Sequence, residues 1–80
     1  MKVVTLYGKR DCHLCTEAQS VLRNLRSELG FELREVDITT DEALHRTYFE
    51  RIPVVALGEE ELFEYFVVED VLRERLQTIL

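Results

Sequence analysis

Val3-Val4-Thr5-Leu6-Tyr7-Gly8-Lys9-Arg10-Asp11-Cys12-His13-Leu14-Cys15 is the stretch whose reading decides the fold. Val3 to Tyr7 reads as a short buried strand. Leu14, Ala18, Val21, Leu22, Leu25 and Leu29 then recur in steps of three and four, which marks one face of a helix. Cys12 and Cys15, the only two cysteines of the chain, fall at the junction of strand and helix. The first turn of a helix carries free N–H groups and a partial positive charge, which stabilise a thiolate. The thiolate is the form of cysteine that attacks disulfides. A second cysteine three residues on is one helical turn away and can close an internal disulfide. Spacing and location together point to a redox site.

The pattern continues outward from that junction. Gly30 ends the helix as a left-handed cap. Phe31 to Ile38 alternates as a second strand. Thr39 faces Glu42 three residues later as a capping box, opening a helix over Asp41 to Phe49. Pro53 interrupts the helical pattern, and Val54 to Leu57 reads as a third strand. Gly58 and the glutamates after it make a turn, and Leu62 to Phe66 returns as a fourth strand. Val68, Val71, Leu72, Leu76, Ile79 and Leu80 form the apolar face of a last helix. The order is β-α-β-α-β-β-α within one domain, residues 1–80. The first two strands, joined through a helix, are expected to be parallel. Helices should cover both faces of a mixed four-stranded sheet. Sites in such sheets lie at the C-terminal ends of parallel strands, and Cys12 falls there.

Composition narrows the function classes. An 80-residue chain that is 46% hydrophobic fits a compact domain with a modest core. The loop between the cysteines is too short for their bond to constrain the unfolded chain much, so they are poor structural staples. No apolar run approaches the roughly 20 residues of a membrane span, and the N-terminus shows no secretory pattern. A soluble, cytoplasmic protein is expected, where a lone CxxC is more often redox-active or metal-binding than structural. A net charge of −6 argues against nucleic acid as a partner. That charge is concentrated in the last third, in Glu59, Glu60, Glu61, Glu64, Glu69, Asp70 and Glu74. Lys9, Arg10 and His13 surround the cysteines with positive or potentially positive groups.

With Lys9-x-x-Cys12-x-x-Cys15 after strand one, this element order, and Ile52-Pro53 opening strand three, the chain resembles glutaredoxin-like members of the thioredoxin superfamily. The resemblance covers essentially all of the sequence. It implies a thiol–disulfide oxidoreductase of α/β, thioredoxin-like fold, with Cys12 as nucleophile and Cys15 as resolving thiol. It also implies a cis peptide before Pro53 facing the dithiol, with the backbone of Ile52 pairing with substrate. Lys9 matches the lysine that glutaredoxins place near the nucleophile and the glutathione carboxylate. Two stretches depart from the pattern. Arg51-Ile52-Pro53 stands where glutaredoxins usually have Thr-Val-Pro, and Phe66-Val67-Val68-Glu69-Asp70 keeps the acids of the glutathione-binding segment without its glycines. The resemblance thus implies no bound cofactor and two classes of electron donor, glutathione or a thioredoxin-reductase-type system. The expected partners are disulfide-containing proteins or glutathione mixed disulfides, and a reductase, acting on a monomer.

Other readings of these residues stay open. Cys12 and Cys15 are also two soft ligands of the kind a small Cu(I) chaperone uses. Such chaperones usually run β-α-β-β-α-β, whereas this chain ends in a helical pattern. A zinc site completed by His13 or His45 would need four well-placed ligands and finds no second cysteine pair; no metal residue is assigned. His13 raises the positive potential at Cys12 when protonated or simply faces solvent, and Lys9 is a thiolate or substrate partner or an exposed strand-end charge. Arg51 meets a substrate carboxylate or pairs with surface glutamates. Glu69 and Asp70 suit the first turn of a helix. Asp37 reads as a strand-end turn residue, and His45 as surface.

Overall fold

The computed structural model describes residues 2–79. Leu80 and the side chain of Ile79, both placed by the sequence on the last apolar face, lie outside the described residues. The elements are β1 (Val3–Gly8), α1 (His13–Leu29), β2 (Glu32–Asp37), a 3-10 turn (Ile38–Thr40), α2 (Glu42–Tyr48), β3 (Val54–Leu57), β4 (Glu60–Glu64) and α3 (Glu69–Ile79). The sheet runs β2-β1-β3-β4. β1 is parallel to β2, and β3 is antiparallel to both β1 and β4.

Alternation along β1 divides the molecule into two layers of packing. Val4 and Leu6 point to one face, where they meet Ala18, Leu22 and Leu25 of α1 and Leu72 and Leu76 of α3. Tyr7 points to the other face, where Ile38, Ile52, Leu44 and Tyr48 gather under α2. Helices therefore cover both faces of the mixed sheet, as the period-two and period-3.6 patterns require. Gly30 caps α1 at φ 75°, and its N–H reaches the Arg26 carbonyl. Glycine tolerates that left-handed geometry without steric cost.

Three expectations are corrected. The residue that caps α2 is Asp41, whose carboxylate accepts from the N–H groups of Ala43 and Leu44. Thr39 is unavailable because Asp37 captures its N–H at 2.9 Å and its hydroxyl at 2.6 Å, forming the 3-10 turn. Strand four runs Glu60–Glu64, not Leu62 to Phe66, because the hairpin turns tightly on Gly58 and Glu59. Gly58, at φ 60°, supplies the left-handed residue that such a turn favours. Last, Val68 precedes α3 rather than joining it, and Val68 and Val71 are exposed; Leu72 and Leu76 carry the burial.

The Thr39 hydroxyl and then its N–H hold the Asp37 carboxyl below its ordinary pKa, with a smaller contribution from Arg10. A carboxyl depressed in the folded state adds stability above its unfolded pKa and loses it as pH falls through the folded value. Asp37→Asn should therefore be less stable than the parent at neutral pH, and the gap should close below about pH 4. Urea midpoints measured across pH would show it. A gap that stays constant down to pH ~2 would contradict this role for the ionised form.

Candidate active site

Cys12 is the N-cap of α1, with extended backbone at φ −110° and ψ 108°. Its sulfur accepts the N–H of Cys15 at 3.2 Å, and its carbonyl receives the N–H of Thr16 at 3.0 Å. The sulfur thus takes the place that a Ser or Asp oxygen occupies at ordinary helix starts. No carboxylate lies in the first turn of α1 to oppose negative charge there. The residue before it, Asp11, has φ 59°, which turns the chain from β1 into the cap.

The two cysteines are not equivalent. Cys12 is partly exposed, whereas Cys15 is only 6% exposed. They are bonded to each other, with Cα atoms 5.2 Å apart. Cys15 packs with Ile38 and Ile52, and Cys12, Tyr7 and Tyr48 lie against that cluster. The Tyr7 and Tyr48 rings stack at 4.4 Å, and the Arg51 guanidinium sits 5.3 Å from the centre of the Tyr48 ring. Burial first, then the neighbouring Tyr7, pushes the Tyr48 phenol up, which keeps it neutral. The Ile52-Pro53 peptide is cis. Ile52 reaches the cysteine cluster through its side chain, and Pro53 is fully buried.

The remaining sequence-selected residues sit as follows. Lys9 and Arg10 are exposed and line a cleft of about 310 Å³ that reaches Cys15, with Thr16, Gln19, Glu35 and Asp37 among its walls. His13 is exposed and pairs with Glu17 at 3.1 Å, one turn along α1. Arg51 is engaged by Glu64, at 2.8 Å, and by Glu61. Hydrogen bonds to Glu61 and then Glu64 hold it charged beyond its already high pKa. His45 stacks on Phe49 along α2. Glu69 and Asp70 occupy the first turn of α3.

Gly8 was not singled out by sequence reasoning, yet it sets the distance between β1 and the dithiol. A Cβ at this position would stand 3.2 Å from both the Cβ and the Sγ of Cys15. Its signal was in plain view, a glycine between a strand and a CxxC. Gly8→Ala should push Cys15 by a few tenths of an ångström. Misplacement of about 1 Å can cost 10²-fold in rate, so a several-fold slower release of a mixed disulfide by Cys15 is expected. Alkylation of Cys12 should keep its rate. A quenched-flow time course reads the first, and an unchanged release rate would mean that Cys15 has room to yield.

The family model of the Glutaredoxin-like domain (DUF836) matches residues 3–77. The chain belongs to this family. A solution structure of protein Ne2328 from Nitrosomonas europaea is 36% identical, covers 92% of this chain and 89% of its own, and superposes with a TM-score of 0.76. A crystal structure of a structural-genomics target from X. campestris is 33% identical over 94% of this chain and 96% of its own, also with a TM-score of 0.76. A mutant thioredoxin from Halobacterium salinarum, 21% identical, covers 96% of this chain and 73% of its own at a TM-score of 0.74, and shows that the fold is thioredoxin-like. Within this glutaredoxin-like domain, Cys12 and Cys15 are the CxxC pair.

Proposed function

We propose that this glutaredoxin-like domain is a thiol–disulfide oxidoreductase that reduces disulfides in proteins or small molecules with the Cys12/Cys15 dithiol. The observation that carries the reading is the partly exposed Cys12 on the cap of α1, its sulfur accepting an N–H, beside a buried Cys15. Cys12 as thiolate attacks one sulfur of the substrate disulfide and expels the other as thiolate. Cys15, giving up its proton, attacks the Cys12 sulfur and expels the second substrate thiolate. The Cys12/Cys15 pair thus loses two electrons, which the substrate gains; Cys15 releases one proton, and solvent supplies the other that the two product thiols take up. Lys9, Arg10 and His13 flank the cysteines along the chain, and positive charge there favours the Cys12 thiolate. The Ile52-Pro53 segment presents backbone to an extended substrate, in the manner of an added strand. Arg51, held by Glu61 and Glu64, shapes the wall beyond it.

The reading includes a monomer working in the cytoplasm. No described helix is long and apolar enough to cross a membrane. The oxidised protein is reset by one of two donor classes, glutathione or a thioredoxin-reductase-type flavoenzyme. Offering oxidised protein each system with NADPH tests the proposal. Turnover with either supports it and identifies the donor. Turnover with neither, together with one tightly held Cu(I) per chain, would replace it with a metal carrier.

A further inference from the structure

The Cys12–Cys15 disulfide is open to solvent in two places, one on either side of β1. On one side Cys12, Tyr7 and Tyr48 pack against the cluster that holds Ile52, and Ile52-Pro53 leads into β3. On the other side, towards β2, lies the cleft of about 310 Å³ between the start of α1 and the ends of β1 and β2. Of the two cysteines, Cys15 lines this cleft and Cys12 does not. The cleft thus meets the disulfide from the Cys15 end only. Gly8 is part of its wall, and a Cβ there would stand 3.2 Å from the Cys15 sulfur. The bare glycine leaves that sulfur uncovered by a side chain on the β1 side. Lys9, Arg10, Thr16 and Gln19 give the cleft a polar lining.

The chemistry of exchange favours attack at this end. A thiolate joins one sulfur of a disulfide and expels the other, and exchange is faster when the expelled thiol has the lower pKa. Attack on Cys15 expels Cys12, the sulfur on the N-cap of α1. The Cys15 N–H already reaches the Cys12 sulfur, at 3.2 Å, while the disulfide is intact. A donor fixed in advance on the atom where charge develops stabilises the departing anion without rearrangement. Among the described residues, no hydrogen bond reaches the Cys15 sulfur. Attack on Cys12 would therefore expel a buried thiolate that lacks such a donor, and burial disfavours the charged form.

We infer that the cleft admits a small polar thiol, which reduces the oxidised domain by attacking Cys15 rather than Cys12. This deepens the proposed activity and rests on it, by assigning the resetting half of the cycle to a low-molecular-weight thiol and to a face of its own. The small thiolate forms a bond to the Cys15 sulfur, the Cys12–Cys15 bond breaks, and Cys12 departs as thiolate. A second small thiolate attacks the outer sulfur of this mixed disulfide. It releases the small disulfide and leaves Cys15 as a thiolate that takes a proton from solvent. The two small thiols lose two electrons, and the protein disulfide gains both. A cleft of this volume suits a small molecule, whereas a thiol on a folded protein has only the partly exposed Cys12 to meet. Substrate disulfides and the reducing thiol thus work from opposite sides of β1.

The test starts from oxidised protein and mercaptoethanol, quenched with strong acid at successive times. Tandem mass spectrometry of the peptide that holds both cysteines then locates the adduct. The account expects it on Cys15, with its share largest at the shortest times. An adduct on Cys12 from the outset would overturn the inference. The second measurement compares mercaptoethanol with a thiol held on dextran by a short linker, which is too bulky for the cleft. Thr16→Phe, at an exposed position on the cleft wall, should lower the ratio of the two rates several-fold. Ser20→Phe, exposed on α1 and outside the cleft, should leave the ratio as it was. An unchanged ratio in Thr16→Phe would contradict entry through the cleft, and the adduct map of the parent decides the question if that variant does not fold. Oxidised protein that a thioredoxin-reductase-type enzyme reduces and mercaptoethanol does not would overturn the inference and leave the oxidoreductase standing. Pre-reduced protein that reduces no disulfide would remove both.

Discussion

Cys12→Ser should bring disulfide reduction down to the uncatalysed background, whereas Cys15→Ser should stop the cycle half-way with substrate attached to Cys12. The difference follows from burial. Cys12 is the accessible sulfur and Cys15 is 6% exposed beneath it, so an incoming disulfide meets Cys12 first. With Cys15 gone, release needs a second thiol from solution, a bimolecular step in place of an intramolecular one. Loss of that proximity should slow steady-state reduction of protein disulfides by about 10²-fold or more. Intact-mass spectrometry should find a one-to-one mixed disulfide in Cys15→Ser and an internal Cys12–Cys15 bond in the oxidised parent. Mixed disulfides accumulating on Cys15 in Cys12→Ser at a comparable rate would show that the roles are reversed or shared.

Leu22→Ala should be the most damaging change outside the site. Leu22 is fully buried between the sheet and α3, in the cluster with Leu25, Val55, Leu72 and Leu76. Removing a buried leucine side chain costs about 2–5 kcal/mol, through lost transfer free energy and the cavity left behind. An 80-residue domain has about 4–12 kcal/mol to lose. A fall in Tm of roughly 10–30 °C is expected for a chain of this size. Val71→Ala is the informative comparison, because Val71 is 48% exposed on the same helix as Leu72. It should shift stability by no more than about 0.5 kcal/mol in either direction. Thermal melts of the two variants decide the matter; similar losses would mean that α3 docks through a different face.

The contrast between Leu72 and Val71 shows where the sequence was legible and where it was not. The face of α1 could be read because its apolar steps are regular and Gly30 stops it, and the buried Ala18, Leu22 and Leu25 follow that reading. The apolar run before and within α3 was ambiguous. Val68 and Val71 continue the same steps as Leu72, but only position relative to the sheet determines which of them is covered. β4 was misplaced because glutamates disguise its start. Its register also breaks: Val55 faces Phe63 while Ala56 faces Glu61, which skips Leu62. That irregularity lets Leu62 and Phe63 both pack against the main core, a departure from strict alternation that no local pattern announces. The cap of α2 was a competition between two plausible oxygens, settled by Asp37 engaging Thr39 first.

The site divides in the same way. The dithiol was legible because its geometry is local, two sulfurs one turn apart on a helix start. The neighbours of Arg51 were not, since Glu61 and Glu64 come from the far strand of a hairpin. The closeness of Gly8 to Cys15 depends on how tightly α1 lies over β1, which is a packing outcome.

The central claim is that the cap of α1 makes Cys12 the reactive thiolate. Cys15→Ser carries Cys12 as its one thiol, so its thiolate absorbance and its alkylation rate against pH report that group alone. Thiols at helix N-termini or beside cations titrate in the range of about 3.5–7.5, against about 8.5 for a free cysteine. The Cys12 N-cap position, the Cys15 N–H at 3.2 Å and the absence of a first-turn carboxylate predict a midpoint within the lower range. A midpoint at or above about 8.5 would contradict the account.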